Sequence, residues 1–347
     1  MTIFVVSLEP HEQRYTSEWA ATLPSLIANS LRTAGSTEEV RVVEGHHTVR
    51  PLVGGAFLDF AETNLYKSDQ IGKISMMFAD GRVETGDTLV FADAWHPGVI
   101  AVRYMSGLLS VPVRIVGLWH AGSYDPHDFL GRIADTRWVG KFERSLSQAF
   151  DVNCFATQFH IDLFKSGLGV DDDGRILRTG WPMEYLERTL APHRAVPKRN
   201  LVLFPHRIAP EKQVEIFRDL ASSFPDYEFR VCQDTLLTKA EYHQLLGEAK
   251  MVFSASLQET LGIGLYEGLL CGAVPFAPNR LSYSEMYPRD CLYPSEWTET
   301  WGSYVSHKTE LVQAMTAALA HSSAPSANSI GQRFFCADRL LSVLIAS

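Results

Sequence analysis

Short runs of β-branched and aromatic residues alternate with longer amphipathic stretches, and this alternation limits the fold more than any single motif does. Strand patterns fall near 3–8, 40–44, 88–93, 112–119, 153–157 and 175–179, and helical patterns near 16–34, 66–79, 97–110 and 138–148. Such a series calls for βαβ units around a parallel sheet, because parallel neighbours need a crossover long enough to hold a helix. Residues 191–199 break the pattern with Pro192 and Pro197 and no periodic apolar face, and read as a linker. A second series follows at 201–204, 228–231 and 251–254, and its parallel set ends at 273–276. With 347 residues the chain is long enough for two cores. The expectation is an α/β protein of two Rossmann-like, doubly wound domains with a cleft between them, 1–190 and 200–330. A last helix, 331–347, is expected to pack back toward the first domain. Ligands of such sheets bind beyond the carboxyl ends of the strands, so the residues just after each strand carry the most weight.

Hydrophobic residues make up 46% and charged residues 20%, as in a folded globular protein. The five cysteines (Cys154, Cys232, Cys271, Cys291, Cys336) are scattered and lack CxxC spacing, which argues against a disulfide framework and a zinc site. The apolar run 3–6 has no basic flank or cleavage site, and no run approaches the roughly 20 residues of a membrane helix. A cytoplasmic protein is expected, in the host cytoplasm if the gene is viral. The formal charge of -9 means that any nucleic-acid contact must be local. Arg132, Arg137, Lys141 and Arg144 form one basic run that could touch nucleic acid, although such a run is more often a solvated helix face. The Ser-, Ala- and Pro-rich stretch 321–329 reads as a surface loop.

The segment 254–272 carries the strongest chemical signal. A buried strand ends at Ser254, a polar turn follows, and Gly262 and Gly264 open a helix that Gly272 closes. The free N–H groups and positive dipole end of that helix suit a diphosphate, which small glycines allow to come close. Glu259 and Glu267 flank the turn, and a carboxylate accepts two hydroxyl hydrogen bonds, as a sugar or ribose diol requires. The plainer alternative makes Glu259 a capping acid and Glu267 a solvated helix residue.

Glu259 and Glu267 at this spacing, followed by Gly272, Pro275, Asn279 and Arg280, resemble the signature of retaining GT-B glycosyltransferases of the family 4 type. The resemblance implies that Glu259 and the backbone at Thr260, Leu261 and Gly262 face the donor sugar and phosphates, and that Glu267 binds the ribose. In the stretch 204–212, Arg207 and Lys212 match the cations that the family sets against the donor diphosphate. Two fixed cations would stabilise charge growing on a departing diphosphate without a metal ion. His120, after the strand 113–119, resembles the family position that contacts the donor sugar. Asp93 ends a neighbouring strand and either orients or deprotonates the acceptor hydroxyl, or caps the helix that begins near Pro97. The acidic run Asp171, Asp172 and Asp173 lies between glycines, away from any strand end, and reads as a solvated turn. No metal ligand set is expected.

The loop after the first strand departs from the family, which is glycine-rich there; this chain has Glu9, Arg14, Tyr15 and Trp19. With 55–60, Tyr66, Lys67, Trp95 and His96, this first third resembles phage-encoded glycosyltransferases that modify hydroxymethylated bases of viral DNA. That resemblance implies an acceptor surface of Glu9, Arg14, Tyr15, Tyr66, Lys67, Trp95 and His96. The combined expectation is transfer of a hexose, from a UDP-sugar such as UDP-glucose, to a 5-hydroxymethylpyrimidine in DNA. The sugar nucleotide is a co-substrate, no cofactor is expected, and retention follows from the resemblance alone. Two alternatives stay open: transfer to a cell-surface polysaccharide, lipid or small glycoside, and a catalytically silent sugar-nucleotide or DNA-binding module.

Overall fold

A computed structural model describes residues 1–11, 15–46, 59–132, 137–171, 173–321 and 324–345. The chain divides into two compact units, one of residues 1–156, 161–182 and 337 onward, the other of residues 157–160 and 183–336.

The first unit holds β1 (Thr2–Val6), α1 (Tyr15–Thr33), β2 (Glu39–Val43), α2 (Phe60–Ala79), β3 (Thr88–Phe91), α3 (Gly98–Leu108), β4 (Arg114–Leu118), α4 (Val139–Ala149), β5 (Val152–Phe155), most of α5 (Gln158–Leu168), and β6 (Ile176–Arg178). Every strand pairs in parallel, in the order β2-β1-β3-β4-β5-β6. The strand order reverses at β1/β3, the switch point where crossovers diverge and leave a crevice. Phe4, Leu89, Phe91, Ile115, Trp119, Phe150, Phe155 and Phe164 fill the core. Helix α1 buries Trp19, Leu23, Ile27 and Leu31, spaced four apart along one stripe. Asp59 caps α2 by accepting from the N–H groups of Ala61 and Glu62 at 3.0 and 3.2 Å.

The second unit contains α6 (Tyr185–Leu190), β7 (Arg199–Phe204), α7 (Val214–Leu220), β8 (Glu228–Val231), α8 (Lys239–Glu248), β9 (Ala249–Phe253), α9 (Ile263–Leu270), β10 (Val274–Pro278), α10 (Tyr283–Met286), β11 (Leu292–Tyr293), α11 (Trp301–His321) and α12 (Ala327–Phe334). Its sheet is also parallel, ordered β11-β10-β9-β7-β8, with the switch point at β7/β9. The loops after β7 and β9 are therefore neighbours, which brings residues 205–213 beside residues 254–262.

Three local features differ from the sequence reading. The parallel set continues past 276 into β11, a strand of two residues that pairs with Ala277 and Pro278. Residues Ala191–Ala195 form a 3-10 turn directly after α6, and Arg199 already belongs to β7. The final segment is two helices, α12 and α13 (Asp338–Ile345), rather than one. Helix α13 belongs to the first unit, where Arg114 Nη2 donates to the Val343 carbonyl at 2.7 Å. Among the described residues, no helix is long and apolar enough to cross a membrane.

Helix α9 lies so close to β9 that a Cβ built on Gly268 would stand 2.7 Å from Cγ2 of Val252, with Cγ1 nearer still. Both partners belong to packed regular elements that cannot yield without strain. Gly268→Ala is expected to destabilise the protein by about 1–3 kcal/mol through overpacking. A urea denaturation midpoint equal to that of the wild type would contradict this packing.

Candidate functional site

The second unit's switch point brings a lysine, a histidine and a glutamate together. Lys212 ends the turn after β7 and is 4% exposed. Its Nζ donates to the Gln258 carbonyl and to Glu259 Oε1, the latter at 2.8 Å, so it joins the two loops across the switch point. His206, two residues beyond β7, sets Nδ1 3.4 Å from the same carboxylate oxygen. Burial pushes the Glu259 carboxyl up, but Lys212 and His206 together outweigh it and hold it at about 2. Glu259 is therefore an anion at any ordinary pH, not a proton donor.

Other groups fix the backbone around this pair. Gln213 adopts a left-handed conformation, φ 54°, and its Nε2 donates to the carbonyls of Ala255 and Thr298 at 2.7 Å each. Arg280 donates to the carbonyls of Ala255, Ser256, Ser295 and Thr298 and so spans the β9 loop and the turn after β11. Leu257 N–H donates to the Glu211 carbonyl at 2.8 Å. Gly262 then starts α9 with φ 75°, against the Tyr283 ring, where a Cβ would stand 2.6 Å from Cε1. A side chain is excluded there twice, by backbone conformation and by space. Thr260 and Leu261 are buried just before this turn, and the first N–H groups of α9 have no partner within the helix.

Arg207, the second cation expected at the site, pairs with Glu211 in its own loop. Glu267 lies on α9, where Tyr242 of α8 donates to its Oε2 at 2.7 Å. Burial pushes the Glu267 carboxyl up to about 7, and the hydrogen bond from Tyr242 and the charge of Lys239 offset only part of this. The two glutamates thus differ by environment: one is locked as an anion, the other titrates near neutrality.

In the first unit, Asp93, Trp95 and His96 follow β3, and His120 follows β4. His120 Nε2 donates to the Ala92 carbonyl at 2.7 Å, which leaves Nδ1 to accept from the Tyr15 hydroxyl at 2.8 Å. Tyr15, Trp19 and Trp181 surround its ring at centroid distances of 5.8, 5.2 and 4.4 Å. Asp93 accepts from Lys67 Nζ at 2.7 Å and from the Trp95 N–H at 3.0 Å. Burial opposes its charge, but Lys67 and His120 outweigh that and lower the Asp93 carboxyl below its usual range. Asp93 does not cap α3: Pro97 precedes that helix, and the Gly98 N–H goes to His96 Nδ1.

Several residues expected to face an acceptor lie inside the loops instead. His96 is 2% exposed, and its Nε2 donates to Gln70 Oε1 at 3.0 Å. Burial, with the charge of Lys67, depresses its imidazole to about 3, so it stays neutral. Tyr66 is also 2% exposed and donates to the Leu8 carbonyl. Glu9 is buried and accepts from Thr63 at 2.6 Å. These three support the loops after β1 and β3, and a buried group with satisfied polar atoms offers no contact surface. Trp95 keeps part of its ring exposed, with Nε1 bonded to Glu143 and Lys67 Nζ 5.7 Å from the ring centroid. Arg14 lies outside the described residues, as do 55–58 of the same resemblance and Asp172. Nothing in the sequence pattern marks Gln213 or Tyr242, whereas His206 carries a signal as a histidine two residues after a strand.

No family model matches the chain. A 57-residue segment is 39% identical to the tRNA-queuosine alpha-mannosyltransferase of Drosophila melanogaster, and this match spans 16% of the chain and 15% of that protein. Among solved structures, sucrose-phosphate synthase from Thermosynechococcus elongatus superposes with a TM-score of 0.64 at 11% identity, covering 99% of this chain and 97% of that one. A glycosyltransferase from Rickettsia africae ESF-5 gives 0.59 at 12% identity, covering 100% and 99%. HepE from Anabaena in complex with UDP and glucose gives 0.54 at 14%, also covering 100% and 99%. Likeness over the full length at such identities establishes the fold, and the chain has the GT-B fold of two Rossmann-like α/β domains.

The raised Glu267 carboxyl has a thermodynamic consequence. Its folded value of about 7 lies above the ordinary 4.5, so between these values the native state binds more protons than the unfolded one. Stability is lost as pH rises through that window. Glu267→Gln is expected to gain in melting temperature over the wild type at pH 8 but not at pH 5. Parallel pH dependences for the two proteins would contradict the assignment.

Proposed function

We propose that this protein is a nucleotide-sugar-dependent glycosyltransferase that moves a hexose, with retention, to a hydroxyl on a modified nucleobase. The convergence of Glu259, Lys212 and the start of α9 at the β7/β9 switch point carries the donor half of this reading. The diphosphate would lie against the N–H groups at Thr260, Leu261, Gly262 and the first turn of α9, with Arg207 and Lys212 at its edge. Glu267 would accept the ribose hydroxyls and Glu259 the sugar hydroxyls. The bond from the anomeric carbon to the diphosphate breaks and the diphosphate leaves with the electron pair. The acceptor oxygen bonds the same carbon, and its proton passes to a departing phosphate oxygen. Charge grows on the diphosphate during that step, where fixed donors act most strongly. Retention, and roles for His120 and Asp93 at the reacting sugar, rest on the resemblance to family 4; the lowered Asp93 carboxyl suits orientation of the acceptor better than removal of its proton.

UDP is the favoured nucleotide, supported by a structural neighbour in complex with UDP and glucose. For the acceptor, the first-third resemblance points to 5-hydroxymethylcytosine or a related pyrimidine in phage DNA. A second reading, a modified base in tRNA with mannose as the sugar, is favoured by the segment shared with the tRNA-queuosine alpha-mannosyltransferase.

Mass spectrometry of nucleosides and glycosides distinguishes these readings, after separate incubation of hydroxymethylated DNA, plain DNA, tRNA and a panel of simple glycosides with UDP-glucose and GDP-mannose. A hexose adduct on one modified nucleic acid is expected, and its formation should survive EDTA. Transfer only to simple glycosides would remove the nucleic-acid acceptor and keep the donor site. Glu267→Ala is expected to raise the donor KM about tenfold or more with little change in kcat, whereas Lys212→Ala lowers kcat by about 10²-fold or more. Wild-type kinetics in both variants would show the donor site to be misplaced.

A further inference from the structure

His206 is not among the residues that the donor reading requires, yet its geometry ties it to Glu259. The side chain is 6% exposed, and Nε2 is buried with no hydrogen-bond partner among the described residues. A proton on Nε2 would be buried without an acceptor, so the ring is neutral with its single N–H on Nδ1. Nδ1 stands 3.4 Å from Glu259 Oε1, a separation that can tighten when a ligand closes the site. Lys212 Nζ addresses that same oxygen at 2.8 Å. Oε2 accepts from no group among the described residues, and 20% of the Glu259 side chain remains exposed. Lys212 thus holds one carboxylate oxygen, with His206 Nδ1 3.4 Å from it, and the other oxygen is left for something brought in from outside.

We propose that His206 is a positioning residue that, with Lys212, pins Oε1 of Glu259 and presents Oε2 to the hydroxyls of the donor's sugar. This rests on the donor reading given above and adds to it the residue that sets sugar recognition apart from nucleotide recognition. Glu267 and the start of α9 stand on another element, and the polar contact of the His206 side chain goes to Glu259 rather than to them. Loss of the Nδ1 donor should therefore weaken the grip on the sugar while leaving the nucleoside diphosphate untouched.

Three substitutions separate the N–H from the bulk of the ring. His206→Asn keeps an N–H near the position of Nδ1, His206→Gln moves it toward Nε2, and His206→Ala removes it. Titration calorimetry of each variant with UDP, UDP-glucose, GDP and GDP-mannose supplies the readout. For the pair that the wild type binds, the nucleoside diphosphate should bind all variants within about twofold of the wild type. The nucleotide-sugar should weaken about tenfold in the Ala and Gln variants, the loss of roughly one charge-assisted hydrogen bond, and stay within about threefold in the Asn variant. Unchanged nucleotide-sugar binding in the Ala and Gln variants would overturn the proposal. So would an equal loss for nucleotide and nucleotide-sugar, which marks a merely structural role. A wild type that binds none of the four would instead remove the donor reading, and this assignment with it.

Discussion

The Lys212–Glu259 pair is the interaction on which the rest of the candidate site depends. It joins the loops after β7 and β9 at the point where the strand order of the second sheet reverses. Taking a lysine and a glutamate out of water is costly, and such a pair persists only where further hydrogen bonds complete it. Here the Gln258 carbonyl takes a second proton of Nζ, and His206 adds a second donor beside the carboxylate. Gln213 and Arg280 hold the surrounding carbonyls, so the loops are fixed by groups that face inward. Removing either member of the pair leaves a charge with too few partners, which typically costs about 3–5 kcal/mol. Such inward-facing bonds fix the charged pair in place, the arrangement that electrostatic stabilisation of a developing charge calls for.

The first unit repeats the plan with different chemistry. Its switch point also carries a lysine–carboxylate pair, Lys67 with Asp93, but aromatic rings replace the polar scaffold around it. Tyr15, Trp19 and Trp181 enclose His120, whose two ring nitrogens are committed to Tyr15 and to the Ala92 carbonyl. The buried layer beneath consists of His96, Gln70 and Tyr66, all with satisfied polar atoms. One switch point thus carries a charged pair set among polar groups, and the other a charged pair near a largely buried aromatic cluster.

The alternation of strand and helix patterns marks ten of the eleven strands of the two sheets, most of them compact apolar runs buried between helices. Strand β11 escaped notice since two residues leave no periodicity, and the break between α12 and α13 escaped since Phe334 and Phe335 continue the apolar pattern through it. Glu259, Lys212 and Glu267 were legible through their spacing around strand ends. Their states were not, because a pKa depends on neighbours far away in sequence: Tyr242 lies 25 residues from Glu267, and Lys212 lies 47 from Glu259. The resemblance of the first third assigns Tyr66 and His96 to the acceptor surface, and their burial, on α2 and after β3, depends on packing that a one-dimensional pattern does not carry.

Amide hydrogen exchange in EDTA, with and without a saturating nucleoside diphosphate, tests the central assignment most directly. If the start of α9 and its partner loop hold the diphosphate, new protection is confined to the second unit, in the segments 205–213 and 257–267. Protection elsewhere with these segments unchanged, or protection that appears only when a divalent metal is restored, would contradict it.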